Sequence, residues 1–284
     1  MRWEGRRQSE NVEDRRSMAA PAFVGGSLLT LLIMFAMLFF GADPRQVAAI
    51  APQAGPPRVA KSPAAKKADE EMTKFVKTVL ADTEDVWGQL FPKAFGARYS
   101  PPTLVIFEKA VQSACGMASA AAGPFYCPLD KKVYIDLAFY DELKRRFGAP
   151  GDFAQAYVVA HEIGHHVQNQ LGISAKVQSL QGEMPQAEYN KYSVRMELQA
   201  DFLAGVWAHH VARYAGILDE EDIYEAVNAA QAIGDDRIQA QSQGYIVPDA
   251  FTHGTSEQRA RWFLYGLKTG DPRLMDRAFE VDEP

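Results

Sequence analysis

The chain has 284 residues, with 36 acidic and 30 basic side chains and a formal net charge of −6. Phosphate binding needs concentrated basic surface, so this balance argues against nucleic acid as a partner, and no nucleotide-binding glycine loop or serine triad is present. Hydrophobic residues make up 47% of the chain, enough for a proper core, and only two cysteines occur.

Residues 1–20 form an arginine-rich head containing Arg2, Arg6, Arg7, Arg15 and Arg16. No charged residue lies between Arg16 and Asp43, and the apolar run 21–41 has the length of one transmembrane helix. Arginines ahead of the span predict a cytoplasmic amino terminus and an exported remainder, hence a single-pass protein of the cytoplasmic membrane. A signal peptide cleaved near Ala49-Ile50-Ala51 is the competing reading; the long apolar run and Pro52 argue against it. Residues 42–68, rich in proline and alanine, read as a semi-rigid spacer. Residues 69–284 are long enough for one domain with its own core.

Within that domain Cys115 and Cys127 flank an alanine- and glycine-rich loop, and in an exported chain a close pair reads as a disulfide. Thr103–Phe107 and Lys132–Asp136 alternate in the manner of strands and suggest a small sheet. Helical spacing is predicted over about 69–91, 138–147, 152–171, 187–212, 219–242 and 256–268, with a short helix after Asp271-Pro272. The fold class expected is therefore α+β and mostly helical. Trp87, Phe91, Tyr99, Trp207, Trp262 and Phe263 are assigned to its core.

The chemistry is concentrated in the third of these helices, where His161-Glu162-Ile163-Gly164-His165 matches H-E-x-x-H. Two histidines four apart on a helix are separated by about 6 Å of rise and about 40° of rotation, so both reach one metal ion. Glu162, beside the first histidine, is placed to take a proton from a water activated by zinc. Asp152 is the expected cap of this helix, and Leu171-Gly172 its end. Gln168 and Leu171 occupy the glycine and third-histidine positions of the longer H-E-x-x-H-x-x-G-x-x-H pattern, which is excluded.

The next helix carries Glu197 and Asp201, two acids four apart on an apolar stripe. Burying an unpaired carboxylate is costly, and coordination or a hydrogen bond to an imidazole removes that cost. Glu197 is the expected third metal ligand and Asp201 the acceptor that fixes a ligand histidine's tautomer; the reverse assignment stays open. His-His-Glu ligation suits zinc, although other divalent metals fit such ligands. His166 lies about 100° round the helix and is assigned no metal role. His209 and His210 are expected to cap the end of their helix. Thr255-Ser256-Glu257-Gln258 reads as a capping box, and Arg259 behind it as a possible helper at the site.

Three stretches together resemble the bacterial neutral zinc metallopeptidase family: Phe153 to Gln168, Ser193 to Asp201, and Thr252-His253-Gly254-Thr255-Ser256-Glu257-Gln258-Arg259. The opening Met1 to Arg16 is similar to that family's start. The broader similarity is to gluzincins of the Ste24 and HtpX type, which pair H-E-x-x-H with E-x-x-x-D and a later histidine. The resemblance implies a zincin-like domain with zinc as cofactor, a peptide or protein substrate, and His253 as support for the oxyanion. It also implies an edge strand above the catalytic helix on which an extended peptide adds; Lys132–Asp136 is assigned that place, with plain sheet structure as the alternative. The function expected is a membrane-anchored zinc endopeptidase with Glu162 as general base. A catalytically silent, zinc-stabilised binding or quality-control adaptor and a zinc amidase for a non-peptide substrate are the alternatives. Retention of Glu162 favours an enzyme over the adaptor, because a purely structural zinc site has no use for that carboxylate.

Overall fold

The computed structural model describes residues 1–17, 62–120, 123–145, 148–149 and 151–281. The expected span at 21–41 and the alternative signal cleavage site lie outside these residues. No helix among the described residues is long and apolar enough to cross a membrane. Helix α1 (Pro63–Phe95) starts inside the stretch expected to be spacer. Ser62 accepts the Ala65 N–H, Pro63 occupies the first turn, where its missing N–H has no helical partner to lose, and left-handed Gly96 stops the helix.

The main sheet has the order β1-β2-β6-β5, built from β1 (Val12–Asp14), β2 (Thr103–Phe107), β5 (Phe125–Cys127) and β6 (Lys132–Asp136). β1, β2 and β6 are parallel, and β5 runs antiparallel to β6. Alternate residues face opposite sides of a strand. Leu104, Ile106, Val133 and Ile135 accordingly enter the helical core, while Val105, Phe107 and Tyr134 face a smaller cluster with Val111 and Cys127. Val111 comes from the hairpin of β3 (Ala110–Ser113) and β4 (Gly116–Ser119), which forms a second, two-stranded sheet. Lys132–Asp136 is thus an interior strand, hydrogen-bonded on both sides. The edge belongs to Phe125–Cys127, three residues too short to announce themselves by alternation.

The disulfide between Cys115 and Cys127 is formed. It ties the turn of the β3/β4 hairpin to the end of β5. Replacing both cysteines by alanine is expected to lower stability by about 3 kcal/mol in the chain-entropy account of so short a loop, read as a fall in the calorimetric Tm.

The helices are α2 (Ala138–Arg145), α3 (Asp152–Gln170), α4 (Ile173–Gln178), α5 (Gln186–Ala215), α6 (Glu220–Ala232), α7 (Asp235–Gln243), α8 (Ser256–Thr269) and α9 (Arg277–Glu280), with 3-10 turns at Pro248–Ala250 and Pro272–Asp276. The run expected as one helix over 219–242 is two, broken at Gly234. A Cβ there would lie 2.3 Å from the Ser256 nitrogen, so the α8 start packs directly on the break.

Helix α3 packs against α5 and α6 in the main core, and Phe153, Ala156, Tyr157, Ala160, Ile163 and Val167 are all buried. Its start differs from expectation. Gly151 is the cap residue, Asp152 makes no cap bond, and the Phe153 N–H instead donates to Glu225 of α6 at 2.9 Å. Helices α5 and α8 meet through Gly205 and Gly266, where a Cβ on either would come within 2.0 Å of a carbonyl oxygen of the facing helix. The six aromatics assigned to the core are all buried. His209 and His210 do act as donors to helix-terminal carbonyls, but of the neighbouring helix end: they bond Leu267 O at 2.7 Å and Gly270 O at 2.8 Å.

Candidate metal centre

The site forms where α3 and α5 cross, and Gly164 sets how closely they do so. A Cβ at 164 would stand 2.8 Å from the backbone oxygen of Ala200, one turn along from Glu197. Only glycine lets α5 bring Glu197 onto the histidine face of α3. Gly164→Ala is expected to cost about 1–3 kcal/mol through overpacking and to weaken metal binding at this crossing, checked by calorimetric melting and competition with a metal chelator.

At the crossing, His161 Nε2 lies 3.1 Å from Glu197 Oε2 and His165 Nε2 lies 3.3 Å from Glu197 Oε1. One atom from each of the three residues falls within 4.8 Å of the others. The opposite ring nitrogens are already committed. His161 Nδ1 donates to Asp201 Oδ1 at 2.8 Å, and His165 Nδ1 donates to Gln168 Oε1 at 2.8 Å. With its Nδ1 proton held by an acceptor, each ring turns Nε2 toward one point and offers its lone pair there once a cation displaces the Nε2 proton, as metal-binding histidines require.

The electrostatics favour positive charge at that point. Burial disfavours a protonated His161, yet Asp201 and Glu197 more than offset it and hold its pKa up to about 10. Burial likewise works against the Glu197 carboxylate, and the two facing histidines nevertheless keep its pKa well below the usual range. A shared cation relieves all three groups, and two imidazoles with one carboxylate are the donor set of a zinc ion with a position left open.

Asp201 is fully buried and saturated with donors. Besides His161 it accepts Tyr157 Oη at 2.5 Å, Arg259 Nε at 2.9 Å and Arg259 Nη2 at 3.1 Å. Arg259, only 2% exposed, comes from the first turns of α8, which the Thr255/Gln258 capping box starts as expected. Burial raises the Asp201 pKa, and Arg259 with His161 brings it back below the ordinary value. The carboxylate thus remains ionised to hold the His161 ring.

Glu162 and His253 line the same cleft, a cavity of about 740 Å³ that also takes in His161, His165 and Glu197. His253 is aimed by Asp235, the first residue of α7. Asp235 Oδ2 accepts the backbone N–H groups of Thr252 and His253 at 2.6 Å each and of Gly254 at 3.1 Å, while Oδ1 is 3.2 Å from His253 Nδ1. The bond to Asp235 raises the His253 pKa against the effect of burial. Phe125 and Tyr126 of β5, with Phe139, form another wall. His166 takes no part: Nε2 donates to Ser100 O at 2.7 Å, Nδ1 faces Tyr126 Oη at 3.0 Å, and burial pushes its pKa down to about 4.

The sequence reading missed Asp235, Gln168 and Tyr157 and left Arg259 without a partner. Gln168 had a usable signal, since a polar side chain on the buried stripe of α3 needs a bonding partner. Asp235 had none, because its place depends on the break at Gly234 that the helical pattern runs through.

A mostly helical α+β domain with H-E-x-x-H on α3 and E-x-x-x-D on α5 is consistent with a zincin-like domain holding a His-His-Glu metal site. A family model described as "Putative neutral zinc metallopeptidase" matches residues 1–277, and the chain belongs to that family, which supports a zinc-dependent peptidase role. It is similar to a protein of Escherichia coli K12 named "Uncharacterized protein YpfJ", 49% identical over 282 residues and covering 96% of each chain. It is also similar to "Uncharacterized protein Rv2575" of Mycobacterium tuberculosis H37Rv, 44% identical over 207 residues, or 69% of this chain and 67% of that one. No solved structure matches the chain.

Proposed function

We propose that the chain is a zinc-dependent endopeptidase that works at a membrane, held there by the apolar run 21–41, on the side away from the cytoplasm. The observation that carries the catalytic reading is the pair of imidazole Nε2 atoms turned to one carboxylate, each ring locked by an acceptor on its other nitrogen. His161, His165 and Glu197 are the residues that would hold the ion. Zinc there supplies Lewis acidity, lowering the pKa of a water and polarising a carbonyl.

Glu162 takes the proton of the attacking water and later gives it to the leaving amine, so one carboxylate serves as base and then acid. His253, oriented by Asp235, donates from Nε2 to the oxygen of the carbonyl as negative charge develops on it. Arg259 and Asp201 hold His161 still.

Peptide as substrate is supported by the sheet. Tyr126 and Phe125 of β5 line the cleft that Glu162 also lines, and an extended main chain added to that edge strand would lie within the same cleft as the base. Export is supported by the disulfide, which persists in oxidising compartments. The test uses the full chain in detergent. One zinc per chain that is lost in His161→Ala, together with cleavage of a mixed peptide library read by mass spectrometry, supports the reading. Bound zinc with no peptide cleaved speaks for a binding adaptor or a non-peptide substrate.

A further inference from the structure

The arginine-rich head is built into the peptidase domain. β1 pairs in parallel with β2 in the register Val12↔Leu104, Glu13↔Val105 and Asp14↔Ile106. The pairing continues on both sides, with Leu104 N donating to Asn11 O at 2.9 Å and Arg15 N to Ile106 O at 2.8 Å. Before the strand, Ser9 N donates to Lys77 O of α1 at 2.9 Å, and Trp3 stacks edge-on to Phe75 with ring centres 5.5 Å apart.

The five arginines are engaged in the same structure. Arg6 pairs with the buried Asp82 at 2.7 Å, and Arg7 with Glu84 at 3.0 Å and Asp85 at 2.7 Å, all on α1. Arg2 donates to the Gly216 carbonyl after α5. Arg15 and Arg16 neutralise Glu13 and Asp14 of β1, and Glu13 also takes Lys132 of β6 at 2.5 Å. The basic cluster that reads as a cytoplasmic retention signal is therefore engaged within the folded domain: Arg6 and Arg7 by acids of α1, Arg2 by the carbonyl after α5, and Arg15 and Arg16 by acids of their own strand.

This placement bears on sidedness. Paired strands lie about 4.8 Å apart, whereas the hydrocarbon core of a bilayer is about 30 Å thick. One crossing between residues 17 and 62 would put β1 and β2 on opposite faces and dissolve their pairing. We propose that residues 1–17 and 62–281 occupy one compartment, so that a membrane-held chain has its head and its peptidase domain on the same face. The expected arrangement, a cytoplasmic head with an exported domain, is incompatible with this sheet.

Two full-length variants, Glu10→Cys and Lys268→Cys, place single free thiols at exposed positions of the head and of α8. Each is labelled in bacterial spheroplasts with a membrane-impermeant maleimide, before and after lysis. The expected result is one pattern for both, either labelled before lysis or labelled only after it; one thiol reacting before lysis and the other only after overturns the proposal. A second measurement asks whether the head is docked in the mature chain. Arg6→Asp is expected to lower the Tm of the detergent-solubilised protein and Arg6→Asp with Asp82→Arg to recover it; an unchanged Tm in Arg6→Asp overturns the docking on which the proposal stands.

Discussion

Glu162→Gln is expected to abolish most peptide cleavage while zinc content and Tm stay near those of the parent. The substitution keeps the shape and removes the base, and general acid–base groups contribute about 10²–10⁴ in rate, so kcat should fall by that range with little change in KM. Glu162 stands apart from the three residues whose ligand atoms converge, His161, His165 and Glu197, which is why metal binding and turnover should separate. Zinc analysis beside a fluorogenic peptide assay checks it. If the Glu162→Gln protein lost the metal as well, Glu162 would belong among the ligands and the assignment of Glu197 would need to change.

Arg259→Met is the second large effect, and it is one of stability and metal affinity together. Its guanidinium brings a full positive charge to the buried Asp201, through two bonds at 2.9 and 3.1 Å. Removing one partner of a buried pair costs about 3–5 kcal/mol, because the other is left charged in a low dielectric. The same loss unpins the His161 ring, and outer partners of metal-binding histidines are worth about 10–100-fold in affinity. The double variant Arg259→Met with Asp201→Leu separates the two. With no stranded charge it should recover most of the lost Tm, yet its zinc affinity should stay low because His161 has lost its acceptor.

The expectations held where local periodicity decides the outcome. The helix of His161 and His165, the helix of Glu197 and Asp201, both strands at 103–107 and 132–136, and the Thr255 capping box are each specified by residues within a few positions of one another. They failed where a distant partner decides. Phe125–Cys127 is a strand only because β6 is beside it, Gly234 breaks a helix because Ser256 packs there, and the acceptor for the Phe153 N–H in the first turn of α3 comes from Glu225, far along the chain. Arg259 illustrates the limit within the site. A capping box announces its helix, but nothing local shows that the first turns of that helix deliver a cation to an acid on another.

The head strand carries a consequence for how the molecule is made. Val12 finds Leu104 across 92 intervening steps of sequence, the difference of their numbers, and parallel pairing of such range is slow because chain closure must precede its reward. β1 leaves the ribosome well before β2 and β6 exist, so it waits unpaired while the apolar run is synthesised behind it. The sheet is completed late, after the chain has reached its compartment or as it does so. A chain begun at residue 62, the natural choice for a soluble preparation, would lack the strand that covers β2 and the arginines that neutralise α1. Its expected fate is aggregation through the bared sheet edge.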